Sequence, residues 1–221
     1  GEKEFRNWWG SDYKGYHTIR DGITYSMNIV ALRCMADTVT PQLGVEYAER
    51  LGITSLVSQD QTLSTALGGL TKGVSNLELT NAFAAIANGG TLMKPYMIDH
   101  VENVGGQTVK KFLPSAYGTL MSANDAQFLT HLMSQVVEIG PGSAMRGASY
   151  TVAGKTGSAE FETGKETHSW FVGFAPADKP KVAICVLAEE VRSLRRSQDR
   201  CWICILRNMG SRTKEKGRKA I

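Results

Sequence analysis

The stretch Tyr150-Thr-Val-Ala-Gly-Lys-Thr-Gly-Ser158 constrains the chain most, because it gathers an ammonium, the hydroxyls of Thr156 and Ser158 and two glycines into a run that otherwise reads as a β-strand. Val152 and Ala153 suit a sheet, while Gly154 and Gly157 remove side-chain bulk on either side of Lys155 and Thr156, so that another molecule can approach the backbone. Such a strand makes an anion-binding edge. Lys155 supplies charge, the hydroxyls of Thr156 and Ser158 donate to a carboxylate, and an unpaired edge N–H stabilises a developing oxyanion. Two further runs, 169–175 and 181–188, follow the strand at 150–160 through short connections, which predicts antiparallel neighbours. The spelling Gly154-Lys155-Thr156 also invites a phosphate-loop reading, which needs a glycine five residues earlier and a helix directly afterwards. Neither is present: the earlier position is Ser149, and Ala-Glu-Phe-Glu-Thr-Gly after Ser158 reads as a strand end and a turn. Lys-Thr-Gly alone fits an ordinary strand with a surface lysine, so the motif acquires meaning only with a partner elsewhere.

Upstream, the pattern is helical. A polar, aromatic and glycine-punctuated loop over residues 1–24 leads to a short helix near Thr18, and the apolar run 29–35 suits a buried helix. Thr40-Pro41 reads as an N-cap and first helical position, opening a helix through Arg50 that stops at Gly52. A glycine-rich loop over 66–74 ends at Ser75, which forms a capping box with Glu78. Leu79, Ala82, Phe83, Ile86 and Ala87 then keep the helical period until Asn88-Gly89-Gly90. Residues 96–112 read as a hairpin about Gly105-Gly106. A helix over 122–138 buries Leu129, Leu132, Met133, Val136 and Val137 and ends at Gly140-Pro141-Gly142. Helices followed by an antiparallel sheet give an α+β fold with helices packed on that sheet.

With 42% hydrophobic residues among 221, the chain can bury one sizeable core. The net charge of +4 is unevenly spread: residues 191–221 hold ten Lys/Arg against two acids, which leaves the body slightly acidic and without a nucleic-acid surface. Four cysteines are too few for a disulfide-stapled scaffold, and Cys34 and Cys185 lie in apolar runs where a thiol packs as a small hydrophobe. The sequence shows no signal peptide and no apolar run long enough to span a bilayer, and it begins at glycine, so it reads as a piece of something longer.

The partner motif is Ser26-Met27-Asn28, a hydroxyl and a carboxamide two residues apart at the entrance to an apolar helix. On its own a Ser-x-Asn means a turn or a cap. Together with the glycine-flanked lysine well over a hundred residues on, and with Trp170-Phe-Val-Gly173 after it, the chain resembles the transpeptidase domain of penicillin-binding proteins, relatives of the serine β-lactamases. The resemblance covers roughly residues 5–190. It rests on Tyr25-Ser-Met-Asn-Ile-Val-Ala31, Ala66-Leu-Gly-Gly-Leu-Thr-Lys-Gly-Val-Ser75, Ala87-Asn-Gly-Gly90, Ala153-Gly-Lys-Thr-Gly-Ser158 and Trp170-Phe-Val-Gly-Phe-Ala-Pro176. Segments up to Gly90 are most similar to bifunctional, class A members, and the region with Phe174-Ala-Pro-Ala-Asp178 to monofunctional, class B ones.

The resemblance implies peptidoglycan D,D-transpeptidation: acyl transfer from D-Ala-D-Ala stem peptides, with β-lactams as acylating inhibitors and no metal or organic cofactor. It implies that Ser26 relays a proton between the catalytic lysine and the leaving nitrogen, Asn28 holds the substrate amide, and Lys155 supports the field around Ser26. Thr156, Gly157 and Ser158 would bind the terminal carboxylate, with the Ser158 N–H as half the oxyanion hole. Serine stands at 158 where the family more often has threonine, which keeps the hydroxyl. The implied setting is the extracytoplasmic face of a bacterial membrane, with the anchor upstream. A serine β-lactamase and a non-catalytic penicillin-recognising sensor are the alternatives.

Two departures stand out. The family's nucleophile is the serine of a Ser-x-x-Lys motif. That spelling occurs here only as Ser11-Asp-Tyr-Lys14, fifteen residues before Ser26, and as Ser211-Arg-Thr-Lys214 in the basic tail. Both read as chance, so the expectation is a partial domain over 1–190 whose nucleophile lies upstream and which cannot acylate itself. Residues 191–221 depart from the small-residue-rich helix the resemblance leads one to expect, and read as an atypical basic tail, frameshifted or solvated. Within it, Cys201-x-x-Cys204 has no second Cys/His pair to make a metal site.

Overall fold

A computed structural model of the chain describes residues 4–10, 15–146, 150–160 and 167–191. Its elements are α1 (Ile19–Thr24), α2 (Asn28–Cys34), α3 (Pro41–Arg50), α4 (Asn76–Ala87), β1 (Thr91–Met93), β2 (His100–Glu102), β3 (Thr108–Lys111), β4 (Ala116–Thr119), α5 (Ala123–Glu138), β5 (Ala153–Glu160), β6 (Thr167–Ala175) and β7 (Val182–Val191). The expected α+β arrangement is what forms. Strands β5, β6 and β7 make an antiparallel sheet in sequence order, so β5 lies at its edge among the described residues.

Local chemistry starts the helices where the sequence says it should. Thr18 and Asp21 close a capping box on α1, Ser75 and Glu78 close one on α4, and the Thr40 and Ser122 hydroxyls accept from the third amide of α3 and α5. Glu78 does more than cap. Its second oxygen accepts from Thr54 N at 2.8 Å and Thr54 Oγ1 at 2.7 Å, and these bonds hold its carboxyl down at about 2. The helix expected over 29–35 is α2, only Leu32 of which is fully buried, and its last turn widens into a π-helical turn over Met35–Val39 closed by Thr40 N to Met35 O. Pairing of β1 with β4 was not expected from the sequence. The expected hairpin is β2–β3.

Helices α4 and α5 lie on the sheet, α4 against β6 and β7 and α5 against β5. Of the predicted stripe on α5, Leu132, Met133, Val136 and Val137 are buried, Leu129 is half-buried and Ala126 joins them. Val137 packs with Met145, Val152, Phe171 and Ala175, and Met133 with Ala153 and Phe174. Cys185 is half-buried on β7, where burial pushes its thiol up to about 11. No described helix is long and apolar enough to cross a membrane.

The end of α5 then sets the position of α1. A Cβ on Gly140 would stand 2.1 Å from Thr24 O and 2.8 Å from Val136 O, so the two helix ends meet through a bare backbone. Gly140→Ala is expected to destabilise the chain by about 1–3 kcal/mol through this overpacking. The denaturant midpoint should fall without a change in slope; an unchanged midpoint would mean that the contact gives way freely.

Candidate active site

The chain leaves α1 through Tyr25 and enters α2 at Asn28, and the turn between them is strained. Ser26 has φ of 55°, in the left-handed region that a serine adopts at a cost of order 1–2 kcal/mol. Hydrogen bonds hold it there: Ser26 N to Ile23 O at 3.2 Å, Met27 N to Gly22 O at 2.8 Å, and Trp8 Nε1 to Tyr25 O at 3.0 Å. The turn aims the Ser26 hydroxyl at β5.

On β5, Lys155 pairs with Val172 of β6 in register. Its Nζ donates to Ser26 Oγ at 2.6 Å and to Thr156 O at 2.9 Å. Burial disfavours the charged ammonium and brings Lys155 down to about 8 from its ordinary 10.5. The two stretches singled out in the sequence therefore meet across a single cleft.

That cleft has a volume of about 920 Å³, and Ser26, Asn28, Thr156, Gly157 and Ser158 all line it. Ser158 is exposed at its mouth and Thr156 is half-buried. Asn28 reaches it from the first turn of α2, its Nδ2 donating to Arg6 O at 2.9 Å. Of the two edges of β5, the outer one has no partner strand among the described residues, because β6 occupies the other.

The two glycines of the motif do different work. Gly157 lines the cleft, and a Cβ there would lie 3.3 Å from Trp170 Cβ. At Gly154 the space is taken by the protein itself: a Cβ there would lie 2.5 Å from Phe171 Cζ. The strand is also shorter than the expected 150–160. Residue 151 is tied instead to the end of β6, with Ala177 N donating to both Thr151 O at 2.9 Å and Thr151 Oγ1 at 3.2 Å.

Sequence reasoning missed half of the cleft wall. Ile139 to Met145, read only as a helix stop, line the cleft, as do the exposed aromatic rings of Trp8 and Tyr25. The signal for Trp8 was a glycine-punctuated aromatic loop running directly to Ser26; for 139–145 there was none beyond the turn residues. Both Ser-x-x-Lys spellings, 11–14 and 211–214, and Cys201-x-x-Cys204 lie outside the described residues.

A family model described as the penicillin binding protein transpeptidase domain matches residues 1–200. Penicillin-binding protein 1F of Bacillus subtilis is 33% identical over 169 residues, covering 75% of this chain and 23% of that protein. The peptidoglycan D,D-transpeptidase PbpA of Mycolicibacterium smegmatis is 29% identical over 169 residues, covering 70% and 32%. The chain thus spans a third or less of the length of these relatives. Among solved structures, the D,D-transpeptidase domain of a peptidoglycan glycosyltransferase from Eggerthella lenta superposes with a TM-score of 0.79 at 24% identity, covering 93% of this chain and 56% of that one. Penicillin-binding protein A from M. tuberculosis, as its penicillin G acyl-enzyme complex, superposes with a TM-score of 0.73 at 22% identity, covering 87% and 49%. These likenesses establish the fold.

Burial of Lys155 has a measurable consequence. The unfolded chain keeps the lysine proton up to about 10.5 while the folded chain releases it near 8, so between these pH values the unfolded state holds more protons and stability rises with pH. Relative to wild type, Lys155→Met is expected to be more stable at pH 7 and to lose that advantage by pH 10.5, as read by denaturation at each pH. A difference independent of pH would show that Lys155 is solvated.

Proposed function

This chain belongs to the penicillin-binding protein transpeptidase family, and on that premise we propose that it is part of a peptidoglycan D,D-transpeptidase, which transfers the acyl group of a D-Ala-D-Ala stem peptide to a neighbouring amine and is acylated by β-lactams. The observation that carries the reading is the 2.6 Å bond from Lys155 Nζ, which is not itself among the cleft-lining groups, to the Oγ of Ser26, which lines the cleft. Because the ammonium donates, the Ser26 oxygen accepts and its own hydrogen is free to point into the cleft. A leaving nitrogen takes that proton as the scissile C–N bond breaks, the lysine of the Ser-x-x-Lys motif, which received the proton of the attacking serine, replaces it, and the Lys155 ammonium supports the field around Ser26.

The other residues bind and orient. Thr156 and Ser158 hold the terminal carboxylate at the open edge of β5, Gly157 lets the substrate backbone approach, and an edge N–H at Ser158 faces the oxyanion that develops on the attacked carbonyl. Asn28 holds the substrate amide. With its Nδ2 donated to Arg6 O, the Asn28 Oδ1 is the atom that accepts from a substrate N–H. The acylated serine belongs to a Ser-x-x-Lys motif other than Ser11 or Ser211, and residues 1–190 form the domain body, with β7 running one residue further. The reaction takes place outside the bacterial cytoplasmic membrane.

Fluorescent penicillin tests this directly. In a polypeptide that joins these residues to an upstream Ser-x-x-Lys segment, that serine is labelled, and Lys155→Ala slows labelling by about 100-fold. The 221-residue chain alone stays unlabelled. Labelling mapped to Ser11 would place the nucleophile within this chain, and turnover of nitrocefin by the joined polypeptide would favour a β-lactamase.

A further inference from the structure

Three consecutive residues of the N-terminal segment each bond to the Ser26-x-Asn28 turn. The Arg6 carbonyl accepts from Asn28 Nδ2 at 2.9 Å, Asn7 Oδ1 accepts from Ile29 N at 3.2 Å, and Trp8 Nε1 donates to Tyr25 O at 3.0 Å. Asn7 is the centre of this strap. It is 4% exposed, and its own carbonyl accepts from Gly10 N at 2.9 Å, which closes the tight loop that presents Trp8 to the cleft rim.

The bond to Ile29 fills a gap that α2 cannot fill itself. Met27 stands at the N-cap of α2 with no side-chain hydrogen bond, so the first amides of the helix lack the usual local acceptor. A buried asparagine from 22 residues earlier supplies one. The same strap fixes the rotamer of Asn28, because the Arg6 carbonyl engages its Nδ2.

We infer that Asn7 is a positioning residue for the transfer site: by capping α2 from outside and seating the Arg6 carbonyl, it turns Asn28 Oδ1 toward the substrate amide. This inference rests on the transpeptidase reading. It assigns the segment before the Ser-x-Asn motif a share in substrate orientation beyond linking elements.

The test uses the 221-residue chain and diacetyl-L-lysyl-D-alanyl-D-alanine, followed by NMR titration. Asn7→Ala is expected to weaken binding about fivefold to tenfold, in line with the loss of one helix cap. Asn7→Asp keeps the acceptor and recovers most of the affinity. Asn7→Ala combined with Asn28→Ala binds no more weakly than Asn28→Ala alone, because both act through one amide contact. A purely structural role would make the two effects additive; that result overturns the inference, as do wild-type affinity in Asn7→Ala and a failure of Asn7→Asp to recover binding. If wild type does not bind the peptide, the transpeptidase reading fails separately. The strap is then judged by the Asn28 Nδ2–H bonded to Arg6 O, whose exchange with solvent should quicken in Asn7→Ala and stay at the wild-type rate in Asn7→Asp; an unchanged rate in Asn7→Ala would overturn it.

Discussion

A hydrogen bond between groups 129 residues apart, Lys155 Nζ to Ser26 Oγ, is the contact on which the site depends. It joins the edge strand of the sheet to the strained turn between the first two helices. Neither partner is comfortable alone. Lys155 gives up solvation with no carboxylate paired to it among the described residues, and Ser26 sits at a positive φ that a serine resists. Their neighbours supply the stabilisation: the β5–β6 ladder and Thr156 O on one side, the α1–α5 junction at Gly140 and the strap from Arg6 to Trp8 on the other.

From this geometry the chemistry follows in a definite order. Burial brings the lysine close to neutral pH, so it can hold or release a proton as demand changes. Its bond to the serine oxygen leaves the serine hydrogen available as a donor. An edge strand leaves outward-facing backbone amides unpaired, which a central strand would have spent on a neighbour, and Thr156 and Ser158 stand beside them in the cleft lining. The wall from Ile139 to Met145 carries no ionisable side chain.

Much of this was legible in the sequence because it is local. Capping pairs such as Thr18 with Asp21 and Ser75 with Glu78 are three residues apart, and the apolar period of α5 is written over 16 residues. The site's two halves were legible as chemistry, since a glycine-flanked lysine on a strand and a Ser-x-Asn before a helix each have few uses once found together. What was not legible depends on long-range backbone contacts. Asn7 finds Ile29 across 22 residues with no periodic pattern to announce it, and the β1–β4 pair is only three and four residues long. Gly154 was misread for a related reason: the ring that fills its space, Phe171, comes from the next strand.

The juxtaposition itself is what most needs direct measurement. A chain labelled only at lysine and serine side chains, with Ser26→Ala and Lys155→Met as assignment controls, allows the nuclear Overhauser effect between the Lys155 ε-methylene and the Ser26 β-methylene protons to be read. A cross-peak lost in both controls is the expected result. Its absence in wild type, in a folded chain, would place the two groups apart and contradict the single cleft on which the transpeptidase assignment stands.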